Sequence, residues 1–173
     1  MSFSIIAAHE RHRGIGKKTK IPWYISDDFK WFKTRTTGKV VIMGLTTYFS
    51  LPSKYRPLPD RENLVLCDDQ NKKSIIEDEG GATFSSIKQV IDYCENKDCF
   101  VIGGASIYKQ FIDIADTLYL TEIDYDFDCD TFFPEVDSKK WIKIYQSEVR
   151  IDEKSGLKYT FNIYEKRKKI NES

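Results

Sequence analysis

Three short apolar runs, Phe3-Ser-Ile-Ile-Ala-Ala8, Val40-Val-Ile-Met-Gly44 and Cys99-Phe-Val-Ile-Gly103, constrain this chain more than any other feature. Each is apolar at nearly every position and stops after five or six residues, the character of a strand buried on both faces. The later two end in glycine. Between the runs lie stretches with helical spacing. Asp27 to Thr36 would turn Phe29, Phe32 and the stem of Lys33 inward; Ser86 to Glu95 gathers Ile87, Val90, Ile91 and Cys94 on one face; Ala105 to Ile114 follows the third run. Strand alternating with helix predicts a mainly parallel sheet with helices on both faces.

Asn63-Leu-Val-Leu-Cys67 adds a further buried strand, Thr117 to Ile123 reads as another, and Ala82-Thr-Phe84 is long enough only for an edge piece. After residue 125 the pattern changes. Trp141 to Glu148 and Tyr159 to Tyr164 both alternate and are joined by Asp152-Glu-Lys-Ser-Gly156, which predicts an antiparallel hairpin closing the sheet. The expected fold is one doubly wound α/β domain over residues 1–165, with about eight strands. The basic run Lys166-Arg-Lys-Lys169 would open a frayed tail over 166–173.

The length of 173 residues suits a single domain, and 40% hydrophobic with 14% aromatic residues can fill its interior, which argues against disorder. Lys plus Arg and Asp plus Glu each total 27, so no global field would attract nucleic acid. No apolar run approaches the roughly 20 residues of a membrane helix, and the start MSFSIIAAHERHRG is soon interrupted by charge. A soluble, unexported, cytoplasmic protein is expected. Cys67, Cys94, Cys99 and Cys129 form no CxxC pair, so they read as free thiols.

Ligands of open α/β sheets sit beyond the carboxyl ends of the strands. Gly103-Gly104 closes a strand and opens a helix, and Gly44-Leu-Thr-Thr47 does the same with hydroxyls added, so unobstructed backbone amides there could meet a pyrophosphate. The signal is generic, and neither GxGxxG nor GxxxxGK is present. Asp124, Asp126, Asp128, Asp130 and Glu135 have the spacing of a calcium loop, but Cys129 stands where that loop needs glycine, and an exposed acidic loop is the better reading; no metal site is expected. His9 and His12 read as surface histidines. Ser26 and Asp27 suit a helix start. Asp28 differs: it shares a helix face with Phe32, and a carboxylate on an apolar stripe is costly unless a cationic or hydrogen-bond-donating ligand pairs with it.

Gly14-Ile15-Gly16, then Ile21-Pro22-Trp23, Asp28, Phe32 and Thr36 at their spacings resemble the signature of the dihydrofolate reductase family. The resemblance continues through Val41 to Gly44, Arg56-Pro-Leu-Pro59 with Arg61, Val101 to Gly104, Ile107-Tyr108, Leu118 to Thr121 and Asp130 to Pro134, and covers roughly residues 4 to 165. It implies reduction of 7,8-dihydrofolate to tetrahydrofolate by a nicotinamide cofactor, nominally NADPH. Under that resemblance Asp28 takes the pterin's amidine edge bidentately and Thr121 supports it, directly or through water. Trp23, in a mobile lid from Gly16, could order the water that delivers the proton, and Tyr108 would lie beside the nicotinamide. Ile6, Ala8, Phe32, Leu58 and Ile102 become apolar walls. Arg61 grips the glutamate carboxylate, with Arg56 also at the substrate. The cofactor would run along Ala8, Ile15, Gly16, Gly44, Leu45, Thr46, Thr47, Leu66, Cys67, Asp68 and Gly103 to Ile107, including Gly104, Ala105 and Ser106.

The chain departs from the family's common pattern where relatives surround the 2′-phosphate of NADPH with basic and hydroxyl side chains. Leu45, Thr46, Cys67, Asp68 and Asp69 stand at those strand ends, and Ser106 replaces a frequent arginine. A weakened preference for NADPH over NADH follows, unless Lys72 or Lys73 folds back. The resemblance implies a monomer. The alternatives are a reductase of a riboflavin-precursor type intermediate and a catalytically silent binding module.

Overall fold

The computed structural model describes residues 2–168. Its chain runs β1 (Ser2–His9), β2 (Gly14–Gly16), α1 (Ser26–Thr36), β3 (Val40–Gly44), α2 (Leu45–Ser50), a 3-10 turn (Ser53–Tyr55), β4 (Glu62–Leu66), α3 (Gln70–Glu79) and β5 (Ala82–Phe84). It continues through α4 (Ile87–Tyr93), β6 (Asp98–Gly103), α5 (Ala105–Phe111), β7 (Thr117–Ile123), β8 (Thr131–Phe132), β9 (Trp141–Gln146), β10 (Arg150–Ile151) and β11 (Lys158–Lys166). The main sheet is ordered β10-β11-β7-β1-β6-β3-β4-β5, and β9 also pairs with β11. From β7 to β5 all neighbours are parallel, whereas β11 is antiparallel to β7, β9 and β10.

Side chains alternate across a strand, and here both sets are apolar. Val40 and Ile42 of β3 join Phe3, Ile5, Leu64 and Val101 in a core covered by Val90 of α4 and Ile107 and Phe111 of α5. Val41 and Met43 face the opposite way, into a second core with Ile6, Val65 and Phe100, closed by Tyr48 of α2, Ile76 of α3 and Phe32 of α1. The helices therefore do lie on both faces, for the reason the unbroken apolar runs suggested.

Several expectations need correction. Phe29 does not turn inward: it is 52% exposed and stacks on Tyr24. The inward position belongs to Trp31, whose ring lies flat on Phe161 with centroids 4.4 Å apart. Asp27 does not cap α1; its Oδ2 accepts from Arg150 Nη1 (3.2 Å) and Tyr159 Oη (2.8 Å), tying the helix to the last strands. His9 is buried rather than superficial, with Nδ1 2.8 Å from the Glu10 carbonyl and its ring against Phe133. The C-terminal hairpin is interrupted: β9 and β10 take successive stretches of β11's outer edge, so the turn joins β10 to β11. β9 does not alternate, because an edge strand partnered only by β11 leaves Ile142, Ile144 and Tyr145 exposed. Helix α3 and the small β2-β8 ribbon were not anticipated. At the tail, Lys166 still belongs to β11, and the Arg167 amide donates to the Lys140 carbonyl at 2.7 Å; residues 169–173 lie outside the described residues.

Candidate active site

The crevice that carries the chemistry opens between β1 and β6. Their ladder pairs Ser2 to Ile5 with Asp98 to Val101 and then ends. Beyond that point β1 continues along β7, and the Tyr108 hydroxyl, from α5, lies 3.0 Å from the Ile6 carbonyl and 2.7 Å from the Ile102 carbonyl. These are the two strands that have parted, so one buried hydroxyl serves the carbonyls that the open ladder strands. The helix following β1 packs on one face of the sheet and the helix following β6 on the other, which makes this the topological switch point where open α/β sheets bind ligands.

Asp28 projects into this region from the first turn of α1. Its Oδ1 accepts from Thr121 Oγ1 at 2.6 Å, and among the described residues no other side chain donates to it. Ala8 of β1 stands in register with Thr121 of β7, which places the hydroxyl at the crevice wall. Burial pushes the Asp28 carboxyl up to about 6; the Thr121 hydrogen bond opposes that rise and the neighbouring Asp27 charge adds to it. The Tyr108 hydroxyl is also pushed up, first by burial and then by the charge of Asp28, so these two groups feel one another across the crevice. A half-buried carboxyl with one hydrogen bond and a midpoint near neutrality can hold a paired cationic or amidine-like ligand, or hold and pass a proton.

Ile6, Phe32, Leu58 and Ile102 come together as the apolar wall that the sequence suggested. Arg61 lies with its guanidinium 5.8 Å from the Phe32 ring centre, held by Nε to the Pro59 carbonyl (2.9 Å) and Nη1 to Thr36 Oγ1 (3.1 Å). Desolvation lowers its pKa, yet guanidinium remains charged. Arg56 is not brought to this wall with a free fork. Nε and Nη2 contact the Glu79 carboxylate at 3.0–3.1 Å, and the cation lies over Phe49, so the expected substrate role does not match its position.

Trp23 packs with Ala8, Ile25 and Phe127, at the end of the lid segment. The lid itself is a small hairpin: Lys17 and Lys20 exchange backbone hydrogen bonds, and the intervening Lys18 and Thr19 both have positive φ, the geometry of a two-residue turn. It is docked on the acidic loop through the Lys18 amide to Asp130 Oδ2 and the Asp130 amide to the Gly16 carbonyl, both 3.0 Å. The acids that mimicked a calcium loop are thus otherwise engaged: Asp124 with Arg11, Asp126 with the Asp128 amide and His12.

The residues expected at a cofactor fall on the carboxyl ends of β6, β3 and β4, which are consecutive in the sheet, with Ile15 and Gly16 on β2. The fit can be tested at the glycines. A Cβ on Gly103, at φ +137, would come within 3.1 Å of Thr47 Oγ1 and 3.4 Å of Tyr108 Oη; one on Gly44 would meet Ile107 at 3.2 Å. Glycine alone lets the turns before α2 and α5 converge, leaving Thr46, Thr47, Gly104, Ala105 and Ser106 around one backbone-lined cradle suited to a dinucleotide. Farther along, a cleft of about 670 Å³ is bordered by Cys67, Asp68, Lys73, Phe84 and Ser85. Cys67 is buried and directs its thiol to the Asp69 carbonyl, while the Asp69 carboxylate caps α3 through the Asn71 and Lys72 amides. Leu45 packs against the second core and Leu66 against the first.

Sequence reasoning missed Phe29 as an exposed aromatic adjoining Asp28, and Glu10, a buried acid at the lid's root. Helical spacing could have found Phe29 had the stripe been centred on Trp31; nothing in the sequence marks Glu10.

A family model described as dihydrofolate reductase matches residues 2–166. The dihydrofolate reductase of Bacillus subtilis is 38% identical over 165 residues, covering 95% of this chain and 94% of that protein. The viral dihydrofolate reductase of Saimiriine herpesvirus 2 is 37% identical, covering 93% and 83%. Among solved structures, dihydrofolate reductase from Enterococcus faecalis complexed with NADP(H) and RAB-propyl superposes with a TM-score of 0.85 at 29% identity, covering 96% of this chain and 97% of that one. With the crevice, the carboxyl and the fold in agreement, this chain belongs to the dihydrofolate reductase family.

Proposed function

We propose that this chain reduces 7,8-dihydrofolate to tetrahydrofolate with NADPH, and that Asp28, paired with Thr121 in the crevice between β1 and β6, is the residue that binds the pterin and manages its proton. The observation that carries the reading is that single carboxyl: buried, hydrogen-bonded on Oδ1, and held near neutral pKa at a switch-point crevice. When bound, the reduced nicotinamide supplies the hydride. The protein supplies placement and exclusion of water.

Asp28 accepts two parallel donors from the pterin edge, which fixes ring orientation. Ile6, Phe32, Leu58 and Ile102 wall the substrate, Phe29 extends that wall outward, and Arg61 pairs with the glutamate carboxylate. Trp23 closes the crevice beneath the lid and orders the water that passes the proton; Tyr108 holds the strands apart beside the nicotinamide. Ala8, Ile15, Gly16, the segments 44–47 and 103–107, and Leu66 to Asp68 hold the cofactor. The chain acts as a cytoplasmic monomer in one-carbon metabolism, over a domain spanning 1–165. No described helix is long and apolar enough to cross a membrane.

Purified protein should consume reduced cofactor only when dihydrofolate is added, followed as loss of cofactor absorbance. No dihydrofolate-dependent turnover with either NADPH or NADH would overturn the reading.

A further inference from the structure

Glu10 is a carboxylic acid only 1% exposed, at the end of β1, and the chemistry described so far makes no use of it. Its Oε1 accepts from the His12 and Gly14 amides, each at 2.7 Å, and its Oε2 accepts from the Phe127 amide at 3.2 Å. The first two donors sit at the root of the β2 strand that leads into the lid. The third belongs to the loop after β7, more than a hundred residues later. Phe127 in turn carries Trp23 on its ring, with centroids 5.3 Å apart, and Trp23 is the far end of the lid. The junction is tight: a Cβ on Gly14 would meet Glu10 Oε1 at 2.7 Å and Cys129 Cβ at 2.5 Å. One side chain thus fastens both ends of the segment 14–23, one directly and one through Phe127.

We propose that Glu10 is a positioning residue for the reaction, acting through Phe127 to hold Trp23 over the crevice. The proposal rests on the reading of Trp23 as part of the active site. An acceptor with two oxygens is what the geometry needs, because all three partners are N–H donors. An amide in its place can keep its oxygen toward His12 and Gly14, but it then turns an NH2 toward the Phe127 amide, donor against donor. Glu10→Gln therefore loosens the Phe127 end and leaves the lid root in place, whereas Glu10→Asp keeps both oxygens as acceptors at shorter reach.

The test uses the full chain, with single-turnover hydride transfer and Trp23 emission read side by side; emission from Trp31 and Trp141 is subtracted with a Trp23→Phe control. Glu10→Gln is expected to slow hydride transfer on the order of tenfold, the scale of a small misplacement near reacting groups, with little change in the KM for dihydrofolate. Its Trp23 emission should shift. Glu10→Asp should recover part of both. Phe127→Leu should act on the same route, so the double variant with Glu10→Gln should be no slower than the slower single variant. An unchanged hydride-transfer rate and Trp23 signal in Glu10→Gln, with only a lowered Tm, would make Glu10 merely structural and overturn the proposal. Multiplied losses in the double variant would overturn the route through Phe127. If Glu10→Gln does not fold, Glu10→Asp and Phe127→Leu decide by the same readouts. Trp23 emission reports on the hold without turnover, so absence of dihydrofolate reduction in the unmodified chain would count against the function and not against the Glu10 link.

Discussion

The two ends of the crevice are built on different principles. At the substrate end, each polar group is partly withdrawn from water and already oriented: Asp28 by Thr121, Arg61 by Thr36 and the Pro59 carbonyl, Tyr108 by two strand carbonyls. At the end beyond β4, Asp68 is exposed, Asp69 is spent on a helix cap, and the cleft is bordered by one lysine, Lys73. A group that must change protonation or orient a reacting ring needs burial and a fixed partner. A group that only adds binding energy can stay in water, where single charges act weakly and can be exchanged at small cost. Substitutions should therefore hurt most at the first end and least at the second.

Asp28→Asn tests the extreme. The amide retains the shape but neither the charge nor the proton chemistry, so turnover near neutral pH should fall by roughly 10²–10⁴-fold. Stability should move the opposite way. Burial raises the folded-state pKa from 3.8 to about 6, so the folded chain holds this proton more tightly than the unfolded chain does. The favourable contribution is complete below the unfolded value, is lost as pH rises through about 6, and leaves a buried charge above it. Replacing that charge should raise stability at pH 7.5 by on the order of 2 kcal/mol, discounted from the roughly 3 that two pKa units represent because the carboxyl still reaches the crevice. Denaturant titration of the variant at pH 7.5 and pH 4 checks this, and a gain no larger at pH 7.5 would contradict it. Asp27→Asn should retain most turnover, since Asp27 binds Arg150 and Tyr159 instead. Equal losses at the two positions would erase the distinction between them.

Arg61→Lys comes next. A point charge replaces a planar fork whose other arms are already anchored, and apparent affinity for dihydrofolate should weaken about tenfold with turnover at saturation little changed. Unchanged affinity would show that Arg61 does not hold the glutamate tail. Thr121→Val should have a smaller, directional effect. The Thr121 hydrogen bond holds the Asp28 pKa down against burial, so its loss should move the acid limb of the turnover profile to higher pH. A shift to lower pH would mean that Thr121 serves the protonated form.

How much of this was legible in the sequence depended on which signal each element carries. β3 has the predicted bounds, Val40–Gly44, because all of its side chains face a core and glycine ends it. α3 escaped notice because only Ile76 of its ten residues is buried, so no apolar stripe forms. Its ends were nevertheless marked, by Asp69 capping two amides and Gly80 at φ 106. Asp28 and Thr121 lie 93 residues apart in sequence and were joined only through the family resemblance, since spacing along a chain cannot register two strands. Arg56 shows the converse: a motif fixed its identity, while Glu79, from an unforeseen helix, fixed its partner. Glu10 had no sequence signature because its partners are backbone amides, which every residue supplies.

The smallest effect is expected at Asp68, and it separates two accounts of cofactor choice. If the 2′-phosphate of NADPH reaches the end of β4, the exposed Asp68 repels it and Leu45 offers it nothing, whereas a free ribose hydroxyl could donate to the carboxylate. Loss of one charge-assisted contact amounts to on the order of 1.5–3 kcal/mol, or roughly ten- to a hundredfold in affinity, so the advantage of NADPH over NADH should be much reduced. Lys73 borders the same cleft and acts in the other direction. The repulsion itself is an exposed-charge effect of about 0.5–1 kcal/mol, so Asp68→Asn should tighten NADPH binding only about two- to fivefold and leave NADH nearly unchanged. Lys73→Gln should reverse that gain. Equilibrium titration of each cofactor, without substrate, reads these affinities apart from turnover. A preference for NADPH of a thousandfold or more in the unmodified chain would show that other cations have rebuilt the phosphate site, and that the second end of the crevice is as fixed as the first.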